Sequence, residues 1–437
     1  MTMLAVLFFA NLVIGGIFVW KFLFRSSLFL SAAVFLGAYA LILFAVLAVK
    51  IPLNRFVINF PLVFLPFILF RLRPFPRLKL FSAPSNRVTY ILLGLLAVMI
   101  VIGVMHIMKA PLFERDGLGI WLTKAKMIAL DRTFRSDNFF NPWRIQDHPR
   151  YPLLLPLLEA AFMNQAGINE WTVKLVFVYI WILILGVLYE NLINKSTRLP
   201  LIATVILTLI PAYYVMSDGS LHTGYADIPI SLFYLATFVM LWDYFQTGEK
   251  KSAVGAGLTV AFSVFTKNEG LAFGLAAASV FFLTRKKISD ATWFLTAAVL
   301  PLVPWFLTLI RLPDLYQEHY LNRIPVLLLR LRYLPLILKN AGLETLNVRH
   351  WGIFWILVVW FVVIYKPGFF RRCLLSIIGL TLAIYLGIYL LTTWDISFQM
   401  SVSFPRLLLQ VVPSLVFILT PILDPDALDR VRREAII

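Results

Sequence analysis

Five short polar stretches interrupt an otherwise apolar chain of 437 residues, and each sets a charged side chain beside a hydrophobic run. The first reads F-E-R-D-G-L-G-I-W-L-T-K-A-K and carries Glu114 and Asp116 just before an apolar periodicity. A carboxylate there has two uses. It accepts the free N–H groups of a helix's first turn, or it takes the proton of a substrate hydroxyl as a general base. The two are compatible only if one oxygen stays free.

The second stretch, Q-D-H-P-R-Y-P-L-L-L-P-L-L-E, holds His148 and Arg150 among Pro149, Pro152 and Pro156. Proline fixes φ and biases the residue before it toward extended geometry. A stiff strap is expected, with a histidine and an arginine at its mouth; a rigid turn with a snorkelling arginine accounts for it equally well. The third, S-D-G-S-L-H-T-G-Y-A-D-I-P, groups Asp218, His222 and Asp227. Two carboxylates and an imidazole are a metal-ligand set, although helix capping and loop solvation explain each residue separately. The fourth, T-K-N-E-G, puts Lys267 and Glu269 between two short apolar runs, where charges are costly unless paired or used. The fifth, F-P-R-L-L-L-Q, sets Arg406 one residue into the last apolar run. A guanidinium there either snorkels or clamps a phosphate.

The elements that carry these residues cannot form a soluble globule. Hydrophobic residues make up 61% of the chain and charged residues 14%, against about 45–50% and about 25% in soluble domains. The mean hydropathy is +0.86. A soluble enzyme, a disordered chain and a fibrous repeat are excluded. The formal net charge of +17 fits cytoplasmic loops that face anionic lipid, so nucleic acid is not an expected partner and membrane lipid is. Cys373 is the single cysteine, which excludes an intramolecular disulfide and a cysteine-based metal site.

A span needs about 20 apolar residues, because about 30 Å of hydrocarbon is crossed at about 1.5 Å per residue. Runs begin near residues 3, 28, 56, 89, 170, 199, 227, 252, 270, 291, 351, 373 and 405, the shortest being 56–70 and 252–265. They predict an all-α polytopic bundle of about 11–13 spans. The run from Met3 to Trp20 lacks a basic n-region and a small-residue cleavage site, so it reads as a retained helix. Arg71, Arg73, Arg77, Lys79 and Arg87 lie between the third and fourth runs. Alternation then puts Lys195/Arg198, Lys250/Lys251, Arg285/Lys286/Lys287, Lys366/Arg371/Arg372 and Arg430/Arg432/Arg433 on that same, cytoplasmic side. The long connections 109–168 and 311–350 face outside, as do the short ones at 217–226, 266–269 and 392–405. All five polar stretches belong to that outer set.

Leu118, Trp121, Leu122, Ala125 and Ile128 recur at helical spacing, predicting an amphipathic helix on the membrane surface. Leu321 to Leu338, apolar but broken by Arg323, Arg330 and Arg332, is expected in the same interface. No Gly/Ser linker or internal repeat divides the chain. Residues 1–87 read as N-terminal helices with a basic cytoplasmic loop, and 88–437 as the part that carries the chemistry.

Taken in order, the stretches resemble the GT-C integral-membrane glycosyltransferases, specifically the protein mannosyltransferase and aminoarabinose transferase group. The resemblance rests on an acidic residue in the first large outer loop, an amphipathic loop helix, and H-P-R-Y-P-L-L entering a helix. G-Y-A-D-I-P, T-K-N-E-G and a late R-L-L-L-Q follow. It covers roughly residues 88–420, the first three spans being an addition. It implies that a sugar passes from a polyprenyl-phosphate carrier to a glycan, lipid or protein acceptor outside the membrane, in a bacterial inner membrane serving the cell envelope. It also implies that Asp116 is the catalytic base. The family's His-Pro-Pro-Leu signature is matched loosely, since Arg150-Tyr151 intervenes between His148-Pro149 and Pro152-Leu153, and the family's acidic pair is Glu114 and Asp116, split by Arg115.

The residues support that chemistry by themselves. A lipid-phosphate sugar already carries a good leaving group, so a base and a cationic cradle suffice. One carboxylate is enough for inverting transfer, whereas hydrolysis uses two. Asp116 is the candidate base. Lys267, Arg406, His148 and Arg150 are the candidate phosphate cradle, with Glu269, Asp227 and Glu114 beside them and Lys124 and Lys126 as auxiliaries. The lipid-linked donor is the one cofactor-like molecule required, and a divalent metal is a secondary option. Two alternatives compete. A polytopic transporter would place paired charges near the bilayer midplane and show two similar halves. A polysaccharide polymerase or ligase would use a large late outer loop, a role open to 311–350.

Overall fold

The computed structural model describes residues 8–10, 12–17, 27–61, 87–112, 114, 116–141, 148, 150–193, 198–285, 287–310, 312, 320–365 and 367–423. The basic segment 71–79 lies outside them, as do Arg115, Pro149, Lys195, Lys286, Lys366, Arg430, Arg432 and Arg433, and most of the run expected at 56–70. Among the described residues every regular element is helical. Among those residues seven helices are long and apolar enough to cross a membrane, and shorter apolar helices accompany them. The chain is a multi-pass membrane protein with an all-α fold.

The helices that matter for the site, in chain order, are α1 (Leu28–Ala48), α2 (Arg87–Lys109), α3 (Thr123–Asp131), α4 (Leu154–Ala166), α5 (Glu170–Ile193), α6 (Leu199–Thr208), α7 (Asp227–Thr247), α8 (Lys250–Thr266), α9 (Glu269–Thr284), α10 (Ile288–Val299), α11 (Leu334–Thr345), α12 (Phe354–Tyr365), α13 (Phe369–Tyr389) and α14 (Ile396–Leu419). At the centre stands α7, packed against α1, α5, α8, α13 and α14. Nearly all of its residues are buried, polar ones included. Helix α2 is just as apolar, yet buries only Thr89, Gly103 and Ile107. Lipid is as apolar as leucine, so hydrophobicity does not choose between these fates. Close backbone approach does. Gly257 in α8 faces α10 so tightly that an added Cβ would overlap the Phe294 carbonyl oxygen. That contact makes an interior helix of the short 252–265 run.

Helices α7 and α8 are antiparallel neighbours joined at 248–249. Lys250 and Lys251 therefore lie at the opposite end of the bundle from Asp227, about 30 Å away along α7. The structure bears on three expectations at the Asp227 end. The stripe expected on the membrane surface docks on protein: Trp121, Leu122, Ala125 and Ile128 are buried, and α3 packs against α4. The Leu321–Leu338 region breaks into short turns before α11, which packs on α14, and it forms no span. The last helix begins at Ile396, capped by Asp395, whose carboxylate accepts the Phe398 N–H at 2.8 Å. Arg406 thus lies about 15 Å along α14 rather than at its mouth. Pro405 lies inside the helix, and a transmembrane helix tolerates interior proline when neighbours satisfy the freed carbonyls.

Gly257→Ala is expected to destabilise the protein by about 1–3 kcal/mol through overpacking. Gly94→Ala on α2, where an added Cβ meets nothing, leaves stability unchanged. Thermal unfolding of both variants in the same detergent measures the contrast.

Candidate functional site

Four of the five polar stretches meet in one chain of alternating charges. Asp116 Oδ2 lies 3.2 Å from Arg406 Nη1. Arg406 Nε donates to Asp227 Oδ2 at 3.2 Å. The other Asp227 oxygen accepts from Lys267 Nζ at 2.8 Å, and Lys267 Nζ also reaches Glu269 Oε1 at 2.8 Å. The middle of the chain is dry and its ends are wet: the Asp227 side chain is 0% exposed and Arg406 10%, against 34% for Asp116 and 27% for Glu269.

Local structure explains each placement. Asp227 is the first residue of α7, where a negative charge suits the helix dipole, but its oxygens go to Lys267, Arg406 and Gln410 Nε2, the last at 2.6 Å. Lys267 sits in extended conformation after α8, at the elbow from which Glu269 starts α9. Gln410 lies one turn beyond Arg406 on α14, so both reach Asp227 from one helix face. The 217–226 loop wraps the guanidinium. The Tyr225 ring lies 4.3 Å from the guanidinium carbon, and its hydroxyl donates to Asp218 Oδ1 at 2.6 Å. Burial, with Asp116 and Asp218 nearby, raises the Tyr225 phenol well above its ordinary range and keeps it a donor. Burial and the facing Asp218 likewise push Glu114 up.

The two uses set out for Asp116 separate here. Its side chain makes no cap bond to the π-helical turn Gly117–Leu122 that follows; its carboxylate turns to Arg406 instead. The Asp218, His222 and Asp227 set does not assemble. Asp218 binds Tyr225. His222 Nδ1 lies 2.9 Å from His106 Nε2 and 3.0 Å from Ser220 Oγ. Among the described residues no three histidine, cysteine or carboxylate side chains are grouped to hold a metal ion.

His148 and Arg150 take other partners. The His148 ring lies against Tyr151, and its carbonyl accepts from the buried Lys124 at 2.5 Å. Arg150 Nη2 donates to the Leu312 carbonyl at 3.0 Å. Lys124, expected as an auxiliary of the phosphate cradle, donates instead to the His148 and Tyr151 carbonyls and so anchors the strap. Several residues escaped sequence reasoning. Gln410 was findable as the i+4 neighbour of Arg406. Tyr225 lay unremarked inside G-Y-A-D. His106, and the Tyr234–Tyr385 hydroxyl pair that reaches Gln410, carry no local signal. Comparison with protein-family models, curated proteins and solved structures finds no match to this chain.

Two predictions follow from the burial. Removing one partner of a buried ion pair strands the other, so Lys267→Met is expected to cost about 3 kcal/mol. Thermal unfolding of the purified variant measures the loss. The second concerns acid. Burial, with His106 and Lys174 adding to it, pushes His222 down to about 4, against about 6.5 unfolded. A depressed imidazole contributes stability that is complete above the unfolded value and lost as pH falls toward the folded one. The unfolding midpoint should drop as pH falls from about 6.5 to about 4, and His222→Asn should flatten that slope.

Proposed function

We propose that this chain is an integral-membrane glycosyltransferase of the GT-C kind, which moves a sugar from a polyprenyl-phosphate donor to an acceptor hydroxyl on the extracytoplasmic side of a bacterial inner membrane. The observation that carries this reading is the pairing of a half-exposed carboxylate, Asp116, with a buried guanidinium, Arg406, at 3.2 Å at one end of the helix bundle. A base and a fixed cation within one hydrogen bond of each other are what transfer from a lipid phosphate needs.

In this reading Asp116 accepts the acceptor hydroxyl's proton as its oxygen attacks the anomeric carbon. The bond from that carbon to the phosphate oxygen breaks, and the phosphate leaves with the electron pair. Attack opposite the leaving group inverts the centre. Arg406 meets the departing charge in a poorly hydrated place, where a preorganised cation is worth most. Lys267 is committed to Asp227 and Glu269, so its part is to hold the interior of the charge chain and, through Asp227, the Arg406 plane. Glu114 and Asp218 flank the acceptor side.

The burial of Asp227, Lys267 and Arg406 favours one rival, a transporter, because intramembrane charges commonly line solute paths. Three of the five charged residues, however, sit at the ends of α7, α8 and α9, and the wet end of the chain is a carboxylate. Mass spectrometry of lipid-linked sugars and envelope glycans, with and without the protein, separates the two. A transferase leaves one lipid-linked sugar accumulated and its glycan product missing, whereas a transporter leaves both chemistries unchanged in total.

Asp116→Asn keeps the size of the side chain and cannot take a proton. Its transfer rate in purified, folded protein is expected to fall about 10²–10⁴-fold. A rate above about a tenth of wild type would remove Asp116 as the base.

A further inference from the structure

The contacts around Arg406 are unequal, and the inequality bears on how the proposed site is switched on. Three of them fix the guanidinium in place. Asp227, fully buried, holds Nε. The Tyr225 ring covers one face and is itself tied to Asp218. Gly219, at φ +82°, lies so close that an added Cβ would stand 2.9 Å from Arg406 Cγ. The fourth contact, Asp116, is of another kind. It is the exposed partner, its side chain 34% exposed against 0% for Asp227.

We infer that Asp116 occupies, in the resting protein, the guanidinium edge on which a lipid phosphate binds, so that arrival of the phosphate is what frees the carboxylate. The inference rests on the donor reading above and adds its regulation. The phosphodiester of a polyprenyl-phosphate sugar carries one negative charge, as a carboxylate does, and offers two non-bridging oxygens in the fork geometry that arginine prefers. When it competes for Nη1, Arg406 cannot follow its old partner, because Asp227, Tyr225 and Gly219 hold it. The backbone behind Asp116 is held as well: an added Cβ on Gly117 would overlap the Thr223 carbonyl oxygen. Release is therefore a side-chain rotation, among the fastest motions a protein makes. Before it, the carboxylate is engaged by the Arg406 guanidinium. After it, the same carboxylate stands beside the bound donor. Proton abstraction is thereby conditional on donor binding.

The test measures binding of a polyprenyl monophosphate, a polyprenol and inorganic phosphate to the full chain in nanodiscs. If Asp116 competes with phosphate, Asp116→Asn binds the polyprenyl monophosphate about threefold more tightly than wild type, the order expected when an exposed ion pair is lost. Arg406→Gln binds it more than about tenfold more weakly, a charge-assisted contact being lost, and polyprenol affinity is the same in all three proteins. Inorganic phosphate that displaces the lipid assigns recognition to the phosphate alone; failure to displace it assigns recognition to phosphate and chain together, and the latch stands in both cases. Equal or weaker binding by Asp116→Asn overturns the latch while leaving the transferase reading in place. If no protein distinguishes the polyprenyl monophosphate from the polyprenol, the donor reading falls and the latch falls with it.

Discussion

A carboxylate with no exposed surface is the constraint around which this molecule is arranged. Asp227 opens the central helix of the bundle, and an ionised carboxylate buried without partners would cost many kcal/mol. It is compensated by Lys267 from the α8–α9 elbow and by Arg406 and Gln410 from α14. Each compensating group comes from an element that packs on α7, so neutralising one charge also fixes the mutual register of four helices. The interior polar string continues from Gln410 through the Tyr385 hydroxyl to Tyr234, and at its other end the compensation runs out to Asp116 and Glu269 at the wet margin. Function, in the reading proposed, is carried by that margin, and the dry centre holds it in position.

Membrane physics accounts for the rest of the architecture. Because hydrocarbon solvates apolar side chains as well as protein does, the distinction between an interior helix and a lipid-facing one comes from small residues and from polar groups that need partners. Helix α8 is drawn inward by Gly257 and by the hydroxyl of Thr259, which accepts a hydrogen bond from Thr237 of α7 at 2.8 Å. Helix α2, without such features along most of its length, stays on the outside and is tied mainly at its C-terminal end, where the buried Lys174 donates to the carbonyls of Met108 and Ala110 and Glu170 accepts the Leu112 N–H.

The same principle orders the loops at the Asp227 end. Chain segments that approach the charged centre use glycine where backbone must lie against backbone or against Arg406, and they use tyrosine where an apolar ring with one polar atom is wanted. The proline-rich strap is held on an independent support, Lys124 beneath His148 and Arg150 on the Leu312 turn. It is therefore held through bonds of its own, apart from those of the charge chain.

Sequence alone determined what is local. Run lengths specified helices in a membrane, the periodicity after Asp116 specified a helix with one apolar face, and the cost of lone charges left Lys267 and Glu269 either paired or used. These follow from the 3.6-residue period and from the cost of lone charges in hydrocarbon, both of which act over a few residues. Tertiary structure decided the remainder. Whether Asp116 caps a helix or turns to a cation depended on Arg406, 290 residues away. Whether Asp227 joins a metal set or a buried pair depended on which helices α7 touches. The depth of Arg406 depended on Pro405 being absorbed inside α14. A charge separated from its partner by hundreds of residues leaves no mark in the spacing of either, and only the packing of helices brings the two within a hydrogen bond.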